Sequence, residues 1–166
     1  VNPVPSGSLT STPFTTATTA SICDGSSITF TATPGSGNTY NFKVNGTSVQ
    51  VPSTSNTFTT TTLTNPSVVT VDVANASGCT TTFNAIAVTV NPPPSGTIAI
   101  TENSGAINNS EICLGSSATY TFSNTGYTTY VWKINGTTKP GSGNIFTTTE
   151  LTNTTDVVTV TVTSGS

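Results

Sequence analysis

The chain has 166 residues, only 5% of them charged, with three basic residues (Lys43, Lys133 and Lys139), six acidic ones, no His and a net charge of −3. Three cations cannot neutralise a run of phosphates, and no stretch approaches the roughly 18–20 apolar residues of a membrane span, so nucleic-acid binding and membrane insertion are excluded as expectations. With no His and no two carboxylates sharing a motif, acid–base machinery is absent, and the chain is expected to be no enzyme and to carry no cofactor and no metal.

Thr makes up about a quarter of the residues. Branching at Cβ favours Thr and Val in pleated strands, and no segment spaces apolar residues at helical intervals, so essentially no helix is expected. In chain order, strands are predicted near residues 7–12, 27–33, 39–45, 47–51, 57–63, 68–74 and 83–90. Ile28, Phe30 and Ala32 alternate with Thr; Tyr40, Phe42 and Val44 alternate with Asn41 and Lys43; Val69, Val71 and Val73 alternate with Thr70 and Asp72. Apolar-in, polar-out alternation belongs to antiparallel sheets with one wet face. Asn45-Gly46 supplies the two residues with positive φ that a tight hairpin needs.

The same pattern then returns. Ile22-Cys23-Asp24-Gly25-Ser26-Ser27 reappears as Ile112-Cys113-Leu114-Gly115-Ser116-Ser117, and Tyr40-Asn41-Phe42-Lys43-Val44-Asn45-Gly46 as Tyr130-Val131-Trp132-Lys133-Ile134-Asn135-Gly136. Val1-Asn2-Pro3 returns as Val90-Asn91-Pro92, and Val69-Thr70-Val71 as Val158-Thr159-Val160. The offset is 90 at the cysteine (113 − 23) and 89 at the Val-Asn-Pro motif (90 − 1), and the slips fall in Gly/Ser/Asn/Pro stretches, where loops accept insertions. The expectation is an all-β chain of two tandem antiparallel β-sandwich domains, 1–90 and 91–166, joined by the stiff Pro92-Pro93-Pro94 run. The second copy stops at the equivalent of Ser77 and is expected to lack its final strand. Phe42, Trp132, Phe58 and Phe146 are the predicted core aromatics.

The blocks Ile-Cys-x-Gly-Ser-Ser, Tyr-x-Phe/Trp-Lys-Val/Ile-Asn-Gly, Phe-Thr-Thr-Thr and Val-Val-Thr-Val resemble the immunoglobulin-like or PKD-like repeats of very large secreted adhesins of Bacteroidota, the surface adhesins of gliding bacteria among them. The resemblance covers nearly the whole chain. It implies export to the extracellular cell surface and a structural or adhesive role, with neighbouring repeats or fibre subunits as partners.

Cys23 and Cys113 are equivalent, and the equivalent of Cys79 would fall just past residue 166. Two cysteines per repeat in a secreted chain suggest disulfides. Cys23 is expected at one pole of its sandwich and Cys79 at the other, about 25 Å apart at ~3.3 Å per residue, against the ~7 Å between Cα atoms that a disulfide tolerates. Three readings stand. In the first, Cys23 bridges to the next repeat and Cys79 to the preceding one; in the second, an ordinary intradomain bond forms on a different topology; in the third, the thiols are free.

Other signals are weaker. Glu102 or Glu111 could contribute to a linker calcium, although the acidic residues are scattered; solvated loop residues are the simpler reading. Lys43 and Lys133 point outward by alternation, against an isopeptide crosslink. Sequons occur at Asn45, Asn75, Asn108, Asn135 and Asn153. Three functions are weighed. A load-bearing adhesive array leads. A module binding surface glycans would need exposed aromatics, for which Tyr127 is the candidate. A passive spacer in a secreted multidomain enzyme is the third. An uncovered edge in the second copy would also invite a neighbour's strand.

Overall fold

The computed structural model describes residues 2–13, 18–35, 37–104, 111–141 and 143–164. Val1 and Ser166, which the repeat comparison uses, and the sequon Asn108 lie outside them. The described residues contain strands and no helix, and the chain divides into two compact units, Val1–Pro93 and Pro94–Ser166. The division falls inside the proline run, and the last strand of unit 1 reaches Asn91.

Unit 1 is an immunoglobulin-like sandwich. One sheet holds β1 (Ser8–Thr12), β3 (Ile28–Thr33) and β6 (Thr57–Thr60), paired antiparallel in the order β1-β3-β6. The facing sheet runs β2-β9-β7-β4-β5, with β2 (Thr19–Cys23), β9 (Ile86–Asn91), β7 (Ser67–Asn75), β4 (Asn38–Val44) and β5 (Thr47–Ser48). A short β8 (Thr80–Thr82) also pairs with β7. The period-two pattern decides which side chains face inward. Leu9, Ile28, Phe30 and Ala32 from the first sheet meet Tyr40, Phe42, Val69, Val71, Val73, Ile86 and Val88 from the second, all buried. Phe58 is half-buried and stacks on Phe30 and against Phe42, bridging the two sheets. Burying each such side chain is worth about 1.5–3 kcal/mol before entropy is counted.

Unit 2 repeats the plan with β10 (Ile98–Glu102), β11 (Ala118–Phe122) and β14 (Ile145–Thr148) in one sheet, and β13 (Thr137–Thr138), β12 (Thr129–Ile134) and β15 (Val158–Thr163) in the other. Trp132 and Phe146 are buried and stack 5.5 Å apart. Both Asn-Gly hairpins form, with positive φ at Asn45 and Gly46 and at Asn135 and Gly136. Each turn Asn also reaches sideways, its Oδ1 accepting the N–H of Val68 or Val157 at 2.8 and 2.9 Å. The two units fill one corner differently. A side chain at Gly7 would meet the Thr33 carbonyl oxygen first and then the Phe83 ring, whereas at Gly96 it would meet Phe122, which stands where unit 1 has Ala32.

The structure corrects the seven-strand expectation. Residues 19–23, which lie between the first two expected strands, form a strand in their own right (Thr19–Cys23), and β8 is added. The expected strand 57–63 ends at Thr60, and 47–51 is a two-residue strand, Thr47–Ser48, followed by Val49, whose N–H still donates to Phe42 O at 3.0 Å, and by Val51, both with exposed side chains. The purely antiparallel expectation also fails at one place, where β2 and β9 pair in parallel.

Candidate functional site

That parallel pair is the most consequential local feature. β2 lies early in unit 1 and β9 is its last strand, and they align Thr19 with Ala87 through to Cys23 with Asn91. The pattern TASIC turns Ala20 and Ile22 into the core and Thr19, Ser21 and Cys23 outward. Ala87 N–H donates to Thr18 O and Asp24 N–H to Asn91 O, both at 2.9 Å, so the ladder is closed at each end. The Asn91 amide adds a bond to Ser21 Oγ at 2.9 Å. The chain then turns back through Gly25, at φ 75°, into β3.

At the opposite end of β7 the chain reverses through residues 75–79. Gly78 has φ 78°, and Asn75 Oδ1 accepts the N–H groups of Ser77 and Cys79 at 3.0 Å each. Asn75 Nδ2 donates to Pro3 O at 2.8 Å, and the Cys79 thiol reaches Asn2 O at 3.7 Å. Cys23 and Cys113 are exposed, Cys79 is half-buried, and all three are free thiols. The disulfide suggested by their number is therefore not made within this chain. Cys23 flanks the start of the nine-residue β7, beside Asn91, and Cys79 follows its end, so the poles lie about 25 Å apart at ~3.3 Å per residue.

The remaining predicted residues are structural. Tyr127, the candidate for stacking on a sugar, is half-buried with its ring against Phe122 and Tyr130, and its hydroxyl both accepts from Ser95 N–H and donates to Ser95 O. The sequon residues Asn45, Asn75, Asn135 and Asn153 all spend their side chains on local hydrogen bonds. Lys43 pairs with Asp72 across β4 and β7, and Lys139 with Glu150. Burial alone would raise the Asp72 carboxyl, but its hydrogen bonds from Lys43 and Thr82 and the Lys43 charge hold it below the usual range.

Unit 2 carries a groove of about 620 Å³ lined by Ile100, Ile112, Leu114, Tyr120 and Leu151, with Glu111 and Asp156 at its polar side. The Asn135 amide and the N–H groups of Asn153 and Thr152 hold the Asp156 carboxylate below its ordinary range. Burial, then the Asp156 charge, pushes the Tyr120 hydroxyl up. Among the described residues no three Cys, Asp or Glu side chains gather where they could hold a metal ion. Glu102, at the end of β10, and Glu111 therefore do not form part of such a cluster. No helix of the described residues is long and apolar enough to cross a membrane.

Residues 11–92 match the model of a family described as "Ig-like domain CHU_C associated". No curated protein matches the chain. Among solved structures it is similar to the second Ig-C2 domain of human Fc-receptor like A, at 18% identity over 52% of this chain and 98% of that one, TM-score 0.43. It is also similar to the Bacteroides ovatus mixed-linkage glucan utilization locus protein SGBP-B, at 18% identity over 91% of this chain and 40% of that one, TM-score 0.40. A third likeness is to fibronectin(III)-like modules of Clostridium thermocellum CbhA, at 11% identity over 94% of each chain, TM-score 0.42.

Proposed function

We propose that this chain is a load-bearing repeat of a long extracellular adhesin or surface fibre, with neighbouring repeats or fibre subunits as its partners. The observation that carries this reading is the parallel β2–β9 pair. Tension applied at the two ends of unit 1 pulls β2 toward its start and β9 toward its end. In parallel strands those directions are opposed along the strand axis, so the ladder is loaded in shear. Its bonds must then fail together rather than one after another as in a peeling hairpin. Forced unfolding depends on the height of that barrier, not on equilibrium stability. β1 pairs antiparallel with β3 and can peel first, leaving the load on β2. The bland Thr, Ser and Asn surface and the near-duplicate copies suit a module whose work is to extend and hold.

Single-molecule pulling tests this. Ala87 is exposed, and its N–H donates to Thr18 O. Ala87→Pro deletes that donor and leaves Ile86 and Val88 in the core. The high-force event of unit 1 is expected to drop substantially in this variant, while unit 2 is unchanged. An unaltered unfolding force would refute the shear clamp.

A further inference from the structure

The two cysteines of unit 1 sit against two occurrences of the same motif. Asn2-Pro3 opens the unit and Asn91-Pro92 closes it. At the opening occurrence, Asn2 O receives the Cys79 thiol at 3.7 Å, and Pro3 O accepts from Asn75 Nδ2 at 2.8 Å. At the closing occurrence, Asn91 O receives Asp24 N–H at 2.9 Å, and Asn91 is the ladder partner of Cys23. Where one such repeat follows another, the Asn-Pro that closes the first is the Asn-Pro that opens the second. One carbonyl oxygen then takes both sets of contacts. The Cys79 sulfur and the Asp24 nitrogen of the preceding repeat can be no more than 6.6 Å apart, the sum of 3.7 and 2.9 Å. That nitrogen is bonded directly to the carbonyl carbon of the preceding Cys23, so the two cysteines flank one and the same carbonyl oxygen, close enough for their side chains to approach the Cα separation of about 4.4–6.8 Å that a disulfide needs.

We propose that Cys79 forms a disulfide with the residue equivalent to Cys23 in a preceding repeat. The two side chains are suited to it, since Cys23 is exposed and Cys79 only half-buried. The exposed Cys23 thiolate attacks a disulfide oxidant, of small-molecule or protein type, and expels one thiol. Cys79 then attacks the mixed disulfide at the Cys23 sulfur and expels the second. The repeats lose two protons and two electrons in all, and the oxidant leaves as two thiols. A bridge inside one repeat is excluded by the length of β7. The inference deepens the array reading and needs one repeat to precede another. The bridge fastens β2, in the shear clamp of one repeat, to the turn between β7 and β8 of the next, so tension on the linker is shared with a covalent bond.

The test extends the chain at its start with a second copy of residues 1–89 carrying Cys79→Ser, so that the added Cys23 precedes the one remaining Cys79 by one repeat. Oxidation with glutathione disulfide, followed by non-reducing peptide mapping, is expected to give the added Cys23 linked to the original Cys79 as the dominant pair, with the other thiols capped by glutathione. Cys23→Ser in the added copy alone should remove that peptide and leave Cys79 capped. A Cys79 capped by glutathione in the unsubstituted chain, a Cys23–Cys79 link within one repeat, or a mixture of pairings would overturn it. The pulling experiment, run under reducing conditions, is independent of the bridge, so the clamp and the bridge fail separately.

Discussion

At the scale of single residues, the few charges and amides act as local fasteners. Asp72 sits on β7 between Lys43 and Thr82, and its folded-state pKa lies below the unfolded value. A depressed carboxylate contributes stability that is fully present above its unfolded pKa, about 3.9, and is lost as pH falls through the lower folded value. Unit 1 is therefore expected to lose stability on acidification below about pH 4, and Asp72→Asn to flatten that loss while lowering stability at neutral pH. Urea unfolding followed by far-ultraviolet circular dichroism across the acid range reads both; an unchanged acid slope in the variant would remove the ion pair from the account. The sequon amides show the same economy. Asn135 holds Val157 and Asp156, and Asn75 organises the turn that carries Cys79.

At the scale of elements, the Asn-Gly turns were readable because their requirement is local. Two consecutive positive φ angles restrict the turn to a few pairs such as Asn-Gly, Asp-Gly and Gly-Gly, and both copies keep Asn-Gly. Gly136 has φ 80°, so Gly136→Ala is expected to cost unit 2 about 1 kcal/mol through backbone strain alone. Trp132 on the adjoining β12 reports that loss as a lower urea midpoint in fluorescence. The parallel β2–β9 pair was not readable in the same way. Its partners are separated by most of unit 1, and no turn signal links them. The five residues of β2 are also too short a run for their alternation to stand out from the surrounding Thr and Ser.

At the scale of the whole molecule, equivalent residues are covered unequally. Val69, Val71 and Val73 are fully buried, whereas Val158, Val160 and Val162 are only partly buried; Leu9 is 0% exposed and its counterpart Ile98 39%. Among the described residues, no strand pairs with β15 on the edge where β9 lies against β7 in unit 1. Unit 2 therefore gains less from burial per residue ordered, and two unfolding steps are expected in urea. Trp132, the sole tryptophan, should report the earlier one, and the larger loss of strand signal in circular dichroism should follow. A single coincident transition for both probes would contradict this.

What the sequence determined by itself was the repeat, the strand class and the inward aromatics, because alternation, Cβ branching and Asn-Gly turns act between residues a few positions apart. Phe42 is buried where its alternation put it, Trp132 and Phe146 are buried as well, and Phe58 bridges the sheets. Only the tertiary structure decided that β2 lies parallel to β9, that Tyr127 is spent on Ser95 and its aromatic neighbours, and that Asn2 and Asn91 stand against Cys79 and Cys23. Each of those contacts joins positions distant in the chain, and which strand lies beside which is settled by packing two sheets around one core, a choice that no short stretch of residues encodes.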